Sequence, residues 1–161
     1  MIRFEQVTKA FGPQVVLDRL DLEIRKGETF VIVGPSGTGK SVTLRHMIRL
    51  LTPDRGRVWV GGVCVSEAEG RNLSRIRDRC GMLFQNGALL AWLSVFENVA
   101  LTLRERTRLD EAAIQARVDE CLDLVDLGPH ADKFPDAISG GMRKRAGLAR
   151  AIVMKPEIVL Y

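Results

Sequence analysis

At 161 residues, 46% of them hydrophobic, the chain has the length of one domain and enough apolar side chains to bury a core. Its net charge of +4 is mild: it suits work beside a nucleotide or an anionic lipid surface and does not by itself argue for nucleic acid. The three cysteines, Cys64, Cys80 and Cys121, show no C-x-x-C pairing, which argues against zinc and disulfides, and no leader pattern or membrane-length apolar run occurs, so membrane association is expected only through a partner.

Residues 1–8 and 15–25 read as two strands able to pair around a turn at Gly12-Pro13, with Val16, Leu20, Leu22 and Ile24 supplying much of the apolar set of the second. The run Thr29-Phe30-Val31-Ile32-Val33 predicts a buried parallel strand. It leads into Gly34-Pro35-Ser36-Gly37-Thr38-Gly39-Lys40-Ser41, a full match to G-x-x-x-x-G-K-[ST]. A helix is predicted over 42–51, where Leu44, Met47, Ile48 and Leu51 recur at helical spacing and Thr52-Pro53 stops it. Strand, glycine loop and helix together turn the string into a candidate site. Glycines let successive N–H groups curl toward phosphate oxygens, and a helix start near Gly39 adds its positive dipole end. Lys40 is expected to reach the β- and γ-phosphates of a nucleoside triphosphate, and the Ser41 hydroxyl to ligate Mg²⁺. A chance glycine turn is the bland alternative, and the complete motif between its proper flanks sets it aside. Residues 34–42, ending on Val42, are the candidate triphosphate site.

Farther on, 56–65 alternates as a short strand or hairpin arm carrying Val58, Val60 and Val63, and a polar helix is predicted over 72–79. Residues 81–84 return as a strand ending at Gln85. Ser94 reads as the N-cap of a helix over 95–104, with Glu97 completing a capping box. Asp110 caps a second helix, where Ile114, Val118, Cys121, Leu122 and Val125 share one face and Gly128-Pro129 ends it. Ser139-Gly140-Gly141-Met142 opens a third, running to about 154, with Met142, Ala146, Ala149 and Val153 on one side. An apolar strand over 157–161 comes last. The fold class is α/β, with a helical insertion between the phosphate-loop half and the final strand.

The order of these motifs resembles the ATP-binding domain of ABC transporters over essentially the whole chain. That resemblance implies a P-loop NTPase core sheet with N-terminal antiparallel strands and a helical signature subdomain. Residues 1–85 and 155–161 correspond to the core and 86–154 to the subdomain. Phe11-Gly12 followed by Val16-Leu17 looks like the family's base-stacking aromatic and its flanking strand, which places Phe11 and Val16 at the base. Gln85 stands where the family has its Q-loop glutamine, implying contact with Mg²⁺ and the attacking water. Ser139-Gly140-Gly141-Met142 matches the signature usually written L-S-G-G-Q. The resemblance implies that the Ser139 hydroxyl and the glycine N–H groups face the γ-phosphate held by a second copy. Met142 replaces the glutamine, so that residue's polar contact does not carry over.

Finer details resemble the lipid-transport ATPases of the Mla and MCE (mammalian cell entry) systems. They are Ser139-Gly140-Gly141-Met142-Arg143-Lys144-Arg145, Leu83-Phe84-Gln85-Asn86-Gly87-Ala88-Leu89, Val95-Phe96-Glu97-Asn98-Val99-Ala100 and Leu103-Arg104-Glu105. On that resemblance the cofactors are ATP and Mg²⁺. The partners are a second copy, an integral-membrane permease and an MCE-domain lipid-binding protein, with no nucleic acid, at the cytoplasmic face of the inner membrane. A cassette for another substrate is one alternative. A soluble ABC ATPase of DNA repair or translation is another, although the paired cassettes, coiled coils or zinc elements usual there do not occur in this sequence. Family members continue the last strand into an Asp that holds Mg²⁺ and a Glu that polarises water. Neither follows within these residues, so the segment reads as a truncated part of a longer ATPase, binding ATP without efficient hydrolysis. A positioned general base contributes about 10²–10⁴-fold in rate.

The remaining marked residues have plain readings. His46 and His130 are lone histidines and are not taken as metal ligands. Trp92 and Phe96 suit either a partner interface or packing in the helical subdomain. Arg143, Lys144 and Arg145 read as a solvated helix face rather than a nucleic-acid patch.

Overall fold

The computed structural model describes residues 2–85 and 87–161, so Met1 of the first predicted strand and Asn86 of the glutamine segment lie outside the described residues. Two compact units divide the chain, Met1–Arg77 and Asp78–Tyr161.

In the first unit, β1 (Ile2–Phe11) and β2 (Gln14–Ile24) form the predicted hairpin, in register from Ile2 opposite Ile24 to Phe11 opposite Gln14. The Gly12-Pro13 turn closes it, with Gly12 at φ 58°. β3 (Arg55–Val60) pairs antiparallel with β1, placing Phe4 opposite Val58, and β4 (Val63–Cys64) completes the order β2-β1-β3-β4. Ile2, Phe4, Val7, Leu17, Val58 and Val60 are buried and supply the sheet's share of the core. From the helices, α1 (Lys40–Met47) adds Met47 and α2 (Gly70–Asp78) adds Ile76.

Two predictions fail here, each for a physical reason. The strand expected over 29–33 does not form: the segment pairs with no strand among the described residues, and Val33 is 84% exposed. A parallel strand depends on neighbours at its edges and cover on its faces, and the antiparallel sheet of this unit provides no parallel neighbour. Nor does α1 run to 51. It stops at Met47 because Arg49 adopts a left-handed φ of 52°, which turns the Leu50 N–H back onto the Arg45 carbonyl at 2.8 Å. The Arg77 guanidinium then donates to the Ile48 and Arg49 carbonyls, both at 3.1 Å, satisfying acceptors that a helix end leaves open.

In the second unit, β5 (Cys80–Met82) and β6 (Ile158–Leu160) pair in parallel, Cys80 opposite Ile158. Three helices pack beside them: α3 (Val95–Arg106), α4 (Glu111–Asp123) and α5 (Gly140–Ile152). Val95, Val99, Ile114, Val118, Leu122, Ala146 and Ala149 meet in their common core. Each helix has the cap its sequence predicts. Ser94 Oγ accepts from Glu97 N at 3.1 Å, Asp110 Oδ1 from Ala113 N at 2.8 Å, and Ser139 Oγ from Met142 N at 3.2 Å. α4 ends at Asp123, before Gly128-Pro129, because Asp126 at φ 53° lets the Leu127 N–H reach back to the Leu122 carbonyl at 2.8 Å.

Candidate functional site

In the first unit the glycine loop is seated on the hairpin. A Cβ placed on Gly39 would lie 3.0 Å from Val16 Cγ1 and from Leu17 Cδ2, and Gly39 holds φ at 89°, so only glycine suits both the contact and the backbone. The loop is also braced internally. The Thr38 hydroxyl donates to the Pro35 carbonyl at 2.9 Å, and Thr43 N donates to the Gly39 carbonyl at 2.8 Å to start α1.

The Lys40 ammonium folds back over the loop, donating to the Gly34 carbonyl at 2.8 Å and the Pro35 carbonyl at 2.6 Å. Gly34, Pro35, Ser36, Gly37, Thr38 and Ser41 are exposed, and Val42 is half-buried. No acidic side chain stands in the first turn of α1. A loop of exposed backbone, one ammonium and a helix N-terminus free of local carboxylates is suited to an anion.

Along the same hairpin, Phe11 ends β1 with its ring 46% exposed and the Lys9 Nζ 5.6 Å from the ring centroid. Val16 is half-buried against Gly39. The structure thus brings Val16 and residues 34–42 into one locus, with Phe11 at the turn that begins its strand.

The second unit holds the other predicted residues. Gln85 is exposed just beyond β5, where Gly87 N–H donates to the Phe84 carbonyl at 2.9 Å. Gly87 and Gly147 let this segment lie directly on α5: a Cβ on Gly147 would stand 2.7 Å from Gly87 Cα. Arg150 fixes the contact, donating to the Gly87 carbonyl at 2.8 Å and the Ala88 carbonyl at 2.9 Å. Ser139, Gly140 and Gly141 are exposed at the start of α5, whereas Met142 packs against the helical core.

Lys144 is exposed as predicted and the Arg145 side chain is 42% exposed, but Arg143 and Arg145 are also tied to main chain. Arg143 donates to the Ile138 carbonyl at 2.6 Å and the Pro135 carbonyl at 3.1 Å, bracing the serine-glycine corner, and Arg145 donates to the Val125 carbonyl at 2.6 Å. Guanidinium groups bonded to main chain in this way form part of the scaffold. Trp92 and Phe96 separate: Trp92 is 73% exposed, and Phe96 packs on the core of α3, α4 and α5.

Four side chains outside the sequence-based set hold these segments. Asp54 accepts from Ala10 N and Lys9 Nζ, both at 2.7 Å. Arg77 closes α1 and Arg150 ties the glutamine segment to α5. Asn98, buried in α3, accepts from Leu90 N at 2.7 Å and donates to the Leu90, Leu93 and Ser94 carbonyls, pinning the approach to the helix. Only Asn98 left a sequence signal, as a polar residue in phase with Val95 and Val99 on an apolar face.

A sequence profile described as ABC transporter matches residues 17–161. The probable ribonucleotide transport ATP-binding protein mkl of Mycobacterium leprae is 46% identical over 159 residues, covering 99% of this chain and 46% of that protein. The intermembrane phospholipid transport system ATP-binding protein MlaF of Haemophilus influenzae is 38% identical over 161 residues, covering 100% of this chain and 61% of that one. Among solved structures, the dimeric ATP-binding cassette MJ0796 bound to ADP and Pi superposes with a TM-score of 0.91 at 32% identity, over 99% of this chain and 72% of that one. The chain spans about half the length of the curated relatives it matches.

Proposed function

The chain belongs to the ABC transporter family, and on that footing we propose that it is the ATP-binding part of a transporter's ATPase subunit. The carrying observation is the braced loop at the start of α1, with its exposed main chain and the Lys40 ammonium resting on two carbonyls. Phosphate oxygens compete for that ammonium, and residues 34–42 close around the triphosphate. Phe11 and Val16 take the base. The exposed Ser41 hydroxyl would hold Mg²⁺ beside the phosphates, and Gln85 is the second residue that the family resemblance would assign to the ion. When bound, Mg²⁺ neutralises charge on the β- and γ-oxygens. The Ser139 hydroxyl and the N–H groups of Gly140 and Gly141 face the γ-phosphate held by a second copy, while Met142 packs on the helical core; the dimeric cassette among the structural relatives supports the pairing of two copies. Residues 1–85 with 155–161 form the nucleotide-binding core and 86–154 the signature subdomain.

The transported substrate is phospholipid or another hydrophobic molecule, delivered through an Mla/MCE-type permease and its MCE-domain protein at the cytoplasmic face of the inner membrane. Likeness to MlaF supports this, while likeness to mkl supports a second reading, a ribonucleotide transporter. The whole protein hydrolyses ATP, as its membership of this family supports. Co-purification with a permease, followed by phospholipid-transfer and ribonucleotide-uptake assays on that complex, separates the two substrates, and retention of ribosomes or DNA instead would defeat both.

For the binding claim, Lys40→Ala removes a charge-assisted contact and is expected to weaken ATP binding by about tenfold or more in isothermal titration. Unchanged affinity would overturn the assignment of the loop.

A further inference from the structure

Phe11 stands at the end of β1 beside an irregular stretch. The β1–β2 register shifts between Val7 and Lys9 and again between Lys9 and Ala10, so the ladder is interrupted just before the ring. One carboxylate spans that stretch. Asp54, in the turn before β3, accepts from Ala10 N at 2.7 Å through Oδ2 and from Lys9 Nζ at 2.7 Å through Oδ1. Its own backbone is anchored, since Asp54 N donates to the Thr8 carbonyl at 2.9 Å. The Lys9 side chain is only 16% exposed, and its ammonium lies 5.6 Å from the Phe11 ring centroid, within cation–π range. Thus a single side chain holds the peptide N–H next to Phe11 and also the cation over its ring.

We propose that Asp54 is a positioning residue for nucleotide binding. Through Ala10 N–H and Lys9 Nζ it fixes Phe11 as a platform for the base, with the ammonium over one face of the ring and the opposite face left for stacking. The inference rests on Phe11 being the base-stacking residue, as proposed above. Stacking of one base on an aromatic ring is worth about five- to a hundredfold in affinity, and a ring free to turn keeps only part of that.

The test is isothermal titration of the 161-residue chain with ATP and, separately, with inorganic tripolyphosphate, which has the phosphates and no base. Asp54→Ala is expected to weaken ATP binding by about fivefold and to leave tripolyphosphate unchanged, a split that general loss of structure does not produce. Phe11→Ala should show the same split. Lys9→Met, which removes the ammonium and keeps the Ala10 bond, should show a smaller one, and it serves should Asp54→Ala fail to fold by circular dichroism. Equal weakening of both ligands by Asp54→Ala, or no change in either, overturns the inference. If Phe11→Ala gives the split and the Asp54 and Lys9 variants do not, this inference alone falls. If Phe11→Ala leaves ATP binding intact, the stacking assignment falls and takes this inference with it. A wild-type chain that binds neither ligand defeats the whole site.

Discussion

His46 is buried in the phosphate-loop helix, with Nδ1 donating to the Val42 carbonyl at 2.7 Å. Burial is the main cause that lowers its pKa below the ordinary 6.5. The unfolded chain takes up this proton first as pH falls past 6.5, so stability is undiminished above that value and declines as pH drops toward the depressed folded pKa. The melting temperature should therefore fall between pH 7.5 and pH 5.5, and His46→Phe should flatten that dependence whatever its effect on absolute stability. An identical slope in the variant would show that other groups carry it. Asp54 shows why residues of this kind escape a sequence reading. It stands in an unremarkable Pro-Asp turn, and its meaning comes from Lys9 and Ala10, 44 positions before it in the latter case. The phosphate loop was legible because its glycines, lysine and serine act within eight consecutive residues.

Helix starts were legible for the same local reason. A cap bonds to an amide three residues on, and Ser94, Asp110 and Ser139 all do so. Helix ends were not. Arg49 and Asp126 terminate α1 and α4 by left-handed turns that carry no glycine to mark them. The packing of the glutamine segment on α5 was equally hidden, because Gly87 and Gly147 lie far apart in sequence and signal nothing separately. Their contact yields a direct test. Gly147→Ala places a methyl 2.7 Å from Gly87 Cα and 3.0 Å from the Gly87 carbonyl oxygen, both main-chain atoms. Overpacking of this kind costs typically about 1–3 kcal/mol, so urea unfolding should shift to a lower midpoint. An unchanged midpoint would mean that the segment is not seated on the helix.

At the scale of the whole molecule, the antiparallel strands and the helical core were foreseen because hydrophobic alternation and helical periodicity are properties of the segments themselves. The strand foreseen over 29–33 does not form, because an apolar run becomes a strand only where neighbours accept its ladder bonds. Hydrogen exchange should report the difference. Amides of Phe4 and Val58, paired within the four-stranded sheet, should be protected, while those of 30–33 should exchange at rates near those of an open chain. Strong protection at Val31 and Val33 would show that they are paired.

In the second unit, the Arg150 fork and the Gly87–Gly147 contact fasten the glutamine segment along α5, a rod about 20 Å long that begins at the Ser139 corner. The stretch that follows Gln85 and the exposed Ser139 hydroxyl are thus both fastened to one helix, the first along its flank and the second at its start.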